Sequence, residues 1–535
     1  MIEAILLGVV GWTNRILQLG PWIGVVTGAG VVLGWDRTVR GKDGRLWYGL
    51  AGLATAVFTV GVVVKIGASA ALGAGVGGWK IPAAAFGGGV LAGVVGAWAW
   101  LRYGAAHLDD LQTRLVKRTK VERERRTDVR TVSQMLPDPG RDYDPHDYFR
   151  PPKSAEVFAG LDERGRPVYL DHRDLAVQHI LLCGRTRAGK GVAAQMLIPQ
   201  LLERGEYVVV LDPKGDEFMP RVFEAECRRL GLPYRFLDLN PSAPEKTNVF
   251  TGCDAEALES MFIGAFALAE RGEAADYYRL KDRKAAREAA AWIVEHPGSR
   301  MCDAIEALGE DWADEAPAFL AYARELAEIP AVNASKPEHG IAETSGMLYV
   351  LGDMLNSRVL RAQRMILLHL LYAARAAAFA GEKRRCLVFA DEFKAHVSKP
   401  FMTSLAVSAG WGLHAILAMQ SLQDLYDVPA DCHPDAVRGA VLENCAVQMV
   451  YALKDPDTAH WISRSTGTIL VDDEVREVER NVAQTEIVAG RRTIRQAERN
   501  LVDVNMLLSL PRRVAVLTRP GTQAMFVRTS PMVCR

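Results

Sequence analysis

The sequence lacks the cysteine patterns that stabilise secreted domains or hold structural metals. Its 535 residues include eight cysteines, which are scattered, form no Cys-X-X-Cys pair and in several cases lie inside apolar runs. This distribution is typical of reduced cytoplasmic thiols and argues against both a disulfide framework and a zinc site. The net charge is zero, so composition alone does not indicate nucleic-acid binding. A chain of this length should contain about two to four folding units.

The first hundred residues contain few charges and are rich in glycine, alanine, valine and tryptophan. Residues 46–64 and 81–101 carry no charge and are each about 20 residues long, enough to cross a bilayer. Residues 16–35 are a weaker third candidate because they include Gln18, Gly20 and Pro21. The alternative is a pair of buried helices in a soluble core; a signal peptide is not expected, since the apolar character repeats. Small residues that would allow close helix packing are Gly87, Gly88, Gly89 and Gly93.

Positive charge flanks these two spans on one side of the membrane. Basic residues precede residue 46 and follow residue 101, whereas the loop between the spans carries only Lys65 and Lys80. We therefore expect residues 102–535 to be cytoplasmic. The basic run at 114–130 could contact DNA, but it also contains acids, which favours a solvated helix near anionic lipid. The flanking basic residues are Arg37, Arg40, Lys42, Arg45, Arg114, Lys117, Arg118, Lys120, Arg123, Arg125, Arg126 and Arg130.

The rest of the chain reads as an α/β protein with a mostly parallel sheet. Short apolar, β-branched runs alternate with helical stretches, as in strands buried on both faces. We expect a membrane region at 1–105, a basic segment and linker at 106–152, and a nucleotide-binding domain in two parts, 153–252 and 381–535. The predicted strands are Tyr207–Asp212, Tyr234–Leu239, Cys386–Ala390, His414–Met419, Ala446–Leu453 and Arg513–Thr518.

Residues 253–380 show no such strand and predict an inserted, all-helical subdomain. Residues 253–330 hold 17 acidic and 8 basic side chains, so this segment is poorly suited to gripping a phosphate backbone. It could receive a basic protein partner; a merely solvated helical face is an equally good interpretation. The chain ends soon after its last predicted strand, so we expect no long C-terminal tail.

A phosphate-binding loop is the clearest chemical motif. The apolar run 179–183 leads into Gly184-Arg-Thr-Arg-Ala-Gly-Lys-Gly191, and a helix-like stretch follows. In this layout backbone N–H groups and a helix N-terminus face the phosphates, and Lys190 reaches the β- and γ-phosphates of ATP. Gly191 stands where Ser or Thr would usually place a hydroxyl on Mg²⁺. The predicted nucleotide-binding residues are Gly184, Arg185, Thr186, Arg187, Ala188, Gly189, Lys190 and Gly191, together with Asp212 from a later strand.

Polar residues at the ends of other strands complete the predicted site. A buried strand ends at Asp391 and Glu392, where Asp391 would contact Mg²⁺ and Glu392 would activate water. Gln420 follows another strand and could sense the γ-phosphate. Parallel sheets bind ligands at the carboxyl ends of their strands, so Asp212, Asp391 and Gln420 can converge on one nucleotide. Ordinary strand-end turn chemistry is the alternative for each residue taken alone.

Taken together, these motifs resemble those of the type IV coupling proteins of bacterial conjugation and type IV secretion, the TraD/TraG type. The resemblance implies a membrane-anchored hexameric ATPase with RecA-like domains, which receives relaxase-bound single-stranded DNA and passes it to the secretion channel. The residues that carry it are Gly184–Gly191, Asp212-Pro-Lys-Gly215, Ala390-Asp-Glu-Phe393, Gln420-Ser421, Asn444, Asp455-Pro-Asp-Thr-Ala459 and Ser465-Thr-Gly467.

A ring motor also needs a cation from the neighbouring subunit at the transferring phosphoryl group. Arg438 is the first candidate and Arg464 the second; a surface salt bridge is the alternative for both. Rival classes are a chromosome-partitioning DNA translocase, an ABC-type ATPase, whose Leu-Ser-Gly-Gly-Gln motif is absent, and a nucleotide-binding docking receptor without motor activity.

Overall fold

The structure, a computed structural model, divides into two compact units. One contains Met1–Arg125 and Leu470–Glu498, and the other contains Arg126–Ile469 and Arg499–Arg535. The residues described are 1–105, 107–108, 129–130, 132–273, 276–382, 384–484 and 486–533, with the backbone alone for 472–479 and 486–495. The predicted basic run at 114–130 therefore lies outside the described residues except for its last two positions.

The second unit is built on a large sheet. Eleven of the described strands form it in the order β2-β1-β13-β12-β9-β3-β8-β7-β4-β6-β5, and β10 pairs with β11 alone. The bounds are β1 Glu156–Leu161, β2 Pro167–Asp171, β3 Ile180–Cys183, β4 Tyr207–Asp212, β5 Tyr234–Asp238, β6 Met347–Leu351, β7 Cys386–Ala390, β8 Leu413–Met419, β9 Val447–Val450, β10 Thr468–Arg480, β11 Glu486–Asn500, β12 Val514–Thr518 and β13 Met525–Arg528.

The strands from β9 to β5 in this order are parallel, and those from β12 to β2 are antiparallel. Every residue of β3, β4 and β8 is buried, which explains their continuous apolar sequences. The mostly parallel α/β fold and all six predicted strands are thus confirmed, with ends shifted by up to three residues.

Helices connect the strands and supply the rest of the apolar core. Several begin at an acidic or amide side chain that accepts a backbone N–H, as at Asp254, Asn356 and Asp455. The helices of this unit are His172–Leu175, Lys190–Glu203, Met219–Leu230, Ala255–Ala265, Asp276–Glu295, Met301–Glu315, Pro317–Ala327, Ser357–Phe379, Lys399–Ser408, Pro434–Asn444, Pro456–Ser465 and Val504–Ser509.

The predicted all-helical insert at 253–380 is partly wrong. Four helices do lie between Ala255 and Ala327, but β6 follows and inserts into the main sheet between β4 and β5. The run Met347-Leu-Tyr-Val-Leu351 is apolar and lies between Gly346 and Gly352, yet it is only five residues long and follows a long helical region. A short buried strand of this kind cannot be told from a helix segment by its periodicity.

The first unit contains the apolar N-terminal helices. Their bounds are Ile2–Gln18, Gly20–Val39, Arg45–Ala71 and Lys80–Ala99. By length and composition, Arg45–Ala71 and Val76–Gly104 could each cross a membrane, and the bent pair at the N-terminus could be a third span. The bend of 51° falls between Gln18 and Gly20, inside the predicted third candidate at 16–35.

Glycines allow two of these helices to pack backbone against backbone. A Cβ on Gly93 would lie 2.2 Å from the carbonyl oxygen of Val25, and one on Gly89 would lie 2.0 Å from that of Pro21. The expected close packing is therefore confirmed for these two glycines, and only glycine fits there. Gly87 and Gly88 face open space instead.

The tip of the β10–β11 hairpin belongs to this same unit. Asn481 donates its amide to the carbonyl of Leu101 at 2.6 Å, and the N–H of Val482 donates to Asp36 at 2.9 Å. Asp36 is almost fully buried and also pairs with Arg40. These contacts hold the hairpin tip at the ends of the apolar helices.

Candidate functional site

The glycine-lysine loop follows β3 and ends at the helix beginning with Lys190, as the sequence predicts. Gly184 and Gly189 have φ angles of 150° and 138°. A Cβ on either would lie 2.7 Å from the buried ring or Cβ of Tyr451, which follows β9. Both positions therefore require glycine, because the loop passes directly over an aromatic side chain.

Backbone hydrogen bonds from neighbouring segments hold the loop in shape. The N–H of Arg185 donates to the carbonyl of Ala452 at 2.8 Å, and the N–H of Arg513 donates to that of Ala188 at 2.7 Å. Arg187 adopts a left-handed φ of 62°, which is unusual for a residue with a side chain. A loop fixed from outside in this way can direct its remaining N–H groups at an anion without reorganising.

Lys190 lies at the first position of the helix with its side chain inside the loop. It is 8% exposed, and its ammonium donates to the carbonyl of Gly184 at 2.6 Å. Burial lowers the pKa of Lys190, and the nearby carboxylates of Glu392 and Asp391 oppose that shift. The next residue, Gly191, has room for a side chain, since a Cβ there would lie 3.4 Å from the end of Met219.

Asp391 and Glu392 follow β7, whose neighbours are β8 and β4. Burial raises the pKa of Asp391 to about 6, and the carboxylates of Glu392 and Asp212 add to the effect. Glu392 is 1% exposed and has a left-handed φ of 45°. A non-glycine residue in this conformation costs about 1–3 kcal/mol and is held there by its surroundings.

The same carboxylates suit a divalent cation bound together with phosphate. No group of three or more His, Cys, Asp or Glu side chains in the described part of the chain could hold a metal by itself. Mg²⁺ at a nucleotide usually takes one or two protein carboxylates and completes its shell with phosphate oxygens and water. Asp391 fits that role, since a nearby cation would favour the ionised form of a carboxyl group whose pKa is raised first by burial and then by the neighbouring carboxylates.

Gln420 follows β8, between the loop strand β3 and the acidic strand β7. Its side-chain amide donates to Oε1 of Glu392 at 3.1 Å, and its backbone N–H donates to Asp424 at 2.7 Å. The hydroxyl of Thr458 accepts the N–H of Leu422 at 3.0 Å, so the helix Pro456–Ser465 supports this turn. Asp424 and Thr458 were not predicted as site residues.

Asp212 is buried at the end of β4 and is engaged within its own turn. Its carboxylate accepts the N–H groups of Lys214, Gly215 and Asp216 at 2.7–3.0 Å and the hydroxyl of Tyr349 at 2.6 Å. The structure thus gives Asp212 a role in shaping this turn, while its contact with nucleotide stays a prediction. Lys214, which the turn presents, forms an ion pair with Glu392.

Arg438 and Asn444 were also named from the sequence, but neither is hydrogen-bonded to Lys190, Asp391, Glu392 or Gln420. Arg438, in the middle of the helix Pro434–Asn444, donates to the hydroxyl of Tyr426 at 3.0 Å. Asn444 ends that helix, and its carbonyl accepts the N–H of His179, just before β3. Asn444 therefore lies at the amino end of the sheet, opposite the loop. Arg438 contacts none of the predicted catalytic residues of its own chain, so its role in trans stays a prediction.

Lys190, Asp391, Glu392 and Gln420 lie at the carboxyl edge of the parallel strands, on a sheet with the P-loop NTPase fold. A family described as "Type IV secretory system Conjugative DNA transfer" matches residues 118–252. Another, described as "TraM recognition site of TraD and TraG", matches residues 385–512. Together these two matches make the chain similar to the type IV coupling proteins.

Two individual proteins are also similar to this chain over about two thirds of its length. Mobilization protein A of Escherichia coli is 29% identical over 368 residues, covering 68% of this chain and 67% of that protein. Conjugal transfer protein TraG of Escherichia coli is 21% identical over 432 residues, covering 68% and 66%. The chain thus spans about two thirds of each. The fold is similar to that of the bacterial conjugative coupling protein TrwBdeltaN70, with a TM-score of 0.50 and 17% identity over 72% of this chain and 89% of that one.

The contact with Tyr451 predicts different effects for two glycines of the loop. Gly189→Ala should weaken binding of a fluorescent ATP analogue about tenfold or more, because the new methyl group would lie 2.7 Å from the Tyr451 ring, and overpacking of this kind costs about 1–3 kcal/mol. Gly191→Ala is the matched control, since its new methyl group would make an ordinary contact with Met219. Equal affinities in the two variants would contradict the packing role of Tyr451.

Proposed function

We propose that the protein is a membrane-anchored ring ATPase that couples ATP hydrolysis to the recruitment and translocation of relaxase-bound single-stranded DNA into a type IV secretion channel. The convergence of Lys190, Asp391, Glu392 and Gln420 at one edge of the sheet carries this proposal. A buried carboxylate held in a strained conformation beside a phosphate-binding loop is suited to hydrolysis as well as to binding.

Each residue of the site would have a separate role in the hydrolysis of ATP. The loop N–H groups and Lys190 hold the phosphates, and Mg²⁺ bound through Asp391 would neutralise charge on the transferring group. Glu392 accepts a proton from water as the water oxygen bonds to the γ-phosphorus. The bond from that phosphorus to the bridging oxygen breaks, and its electron pair leaves with ADP. Gln420, bonded to Glu392, is placed to orient the water.

The first unit supports anchoring in an inner membrane. Two or three of its helices are long and apolar enough to span, and most of the flanking basic residues lie on the side of residues 102–535. The positive-inside rule then places the ATPase unit in the cytoplasm. Helices confined to a bilayer also raise the local concentration of subunits, which favours the homo-hexamer implied by the family resemblance.

Partner binding draws on two separate parts of the chain. The match to a family described by its TraM recognition site supports a relaxosome contact within residues 385–512. The helix Met301–Glu315 carries Glu306, Glu310 and Asp314 on one exposed side, which supports contact with a basic protein. Two other acids of the helical region, Glu259 and Asp276, are occupied by ion pairs with Arg287 and Arg279.

Two substitutions separate nucleotide binding from turnover. Lys190→Ala should reduce hydrolysis at least about hundredfold, because a phosphate-contacting charge is lost from the site. Glu392→Gln should keep ATP affinity within about threefold but lower kcat by about 10²–10⁴, as expected for loss of a general base. Phosphate release and binding of a fluorescent ATP analogue by the full chain in detergent would measure both effects.

A wild-type chain that binds ATP but releases no phosphate would instead identify a docking receptor without motor activity. Normal turnover in both variants would contradict the assignment of the site.

A site completed by the neighbouring subunit predicts complementation. Arg438→Ala should bind ATP normally but hydrolyse it at least about tenfold more slowly, because the transition state loses a cation. Mixing it with Lys190→Ala subunits should restore part of the activity, since some interfaces then join an intact loop to an intact arginine. Activity of the mixture no higher than that of the separate variants would contradict a role in trans; Arg464→Ala is the parallel variant to test.

A further inference from the structure

The side chain of Glu392 accepts hydrogen bonds from two residues, Lys214 after β4 and Gln420 after β8. Both the ammonium of Lys214 and the amide of Gln420 bond to its Oε1, the amide at 3.1 Å. Its other oxygen, Oε2, makes no hydrogen bond to any residue that the structure describes. One oxygen of this buried carboxylate is therefore fixed, and the second is left to accept a proton.

The turn after β4 determines where Lys214 lies. The carboxylate of Asp212 accepts three successive N–H groups of this turn, and Gly215 permits it with a φ of 74°. Tyr349, on the adjacent strand β6, donates its hydroxyl to the carboxylate of Asp212 and so holds this side chain in place. Leu211 pairs with Ala390 in the register of β4 and β7, so the turn lies beside Glu392.

The other lysine of the site makes different contacts. The ammonium of Lys190 donates to the carbonyls of Gly184 and Arg185 in the loop. Lys214 is thus the lysine that bonds directly to a site carboxylate within the described part of the chain, although its side chain is 37% exposed. An exposed lysine loses rotamer freedom when it is fixed on a buried partner, so the turn that presents it matters.

We infer that Lys214 is a positioning residue for Glu392: with Gln420 it fixes Oε1, so that Oε2 is presented to the attacking water. This inference rests on the proposed ATPase function. Lys214 would not bind the phosphates, and its effect would pass entirely through Glu392. A general base must lie within hydrogen-bond reach of the proton that it removes, so a freely rotating Glu392 would be in place for only part of the time.

The test compares Lys214→Met, which removes the ammonium, with Lys214→Arg, which keeps a cation in reach of Glu392. In the full chain in detergent, Lys214→Met should lower kcat of ATP hydrolysis about tenfold or more. KM and the affinity for a fluorescent ATP analogue should change by less than about threefold, since uniform binding is retained. Lys214→Arg should recover most of the lost rate.

Lys394→Met is the matched control. This lysine lies two residues after Glu392 and pairs with the exposed Asp427, so its loss should leave kcat unchanged. A weaker second variant, Tyr349→Phe, loosens the turn without touching Lys214 or Glu392 and should lower kcat by a smaller factor than Lys214→Met. It keeps the proposal testable if Lys214→Met is poorly folded.

The double variant shows whether Lys214 acts through Glu392. In a Glu392→Gln background, Lys214→Met should slow the residual rate by less than about twofold, because two residues that act as a unit are not additive. An equal loss in both backgrounds, a large fall in ATP affinity or a faster Lys214→Met enzyme would each overturn the inference. Absence of hydrolysis in the wild-type chain would instead contradict the proposed function itself.

Discussion

The parallel pairing of four neighbouring strands is the constraint on which the site depends. β3, β8, β7 and β4 lie side by side, and Cys183 pairs with Met419 while Ala390 pairs with both Leu417 and Leu211. The loop, Gln420, the two acids and the turn of Asp212 each begin within two residues of these pairs. A slip of one residue would turn every side chain of a strand to the opposite face. Burial on both faces, together with the helices packed there, fixes the register.

Two buried tyrosines, one just after β9 and one on β6, support the loops at the ends of these four strands. Tyr451 follows β9 and lies beneath both strained glycines of the phosphate loop. Tyr349 on β6 bonds to Asp212 and so supports the turn that carries Lys214. Catalytic geometry of this kind needs support from outside the residues that react. The site is therefore supported from the strands on either flank of these four, although neither tyrosine belongs to a recognisable motif.

The phosphate loop and the acidic strand were predictable because their signals are local. Glycine and lysine spacing, an apolar run before them and two carboxylates after another apolar run are all visible in the sequence. The strand β6 was missed, since five apolar residues after a long helical region carry no distinct periodicity. The hairpin β10–β11 was missed because residues 472–480 and 486–499 are rich in charge and resemble a surface segment.

The pairing of Lys214 with Glu392 could not be predicted, because it joins residues 178 positions apart. It depends on the placement of β4 beside β7, which only the folded sheet reveals. The contacts of Asp212 are a similar case. Its position at a strand end suggested a nucleotide contact, whereas the structure shows three backbone bonds and a tyrosine hydroxyl. Strand-end acids can serve the site indirectly, through the turn that they stabilise.

The central claim is that ATP hydrolysis at this site drives movement of single-stranded DNA. The most direct test is the steady-state ATPase rate of the full chain in lipid nanodiscs, with and without single-stranded DNA, at physiological salt. The account predicts a rate that rises severalfold with single-stranded DNA. A measurable rate that is the same with and without single-stranded DNA would contradict it.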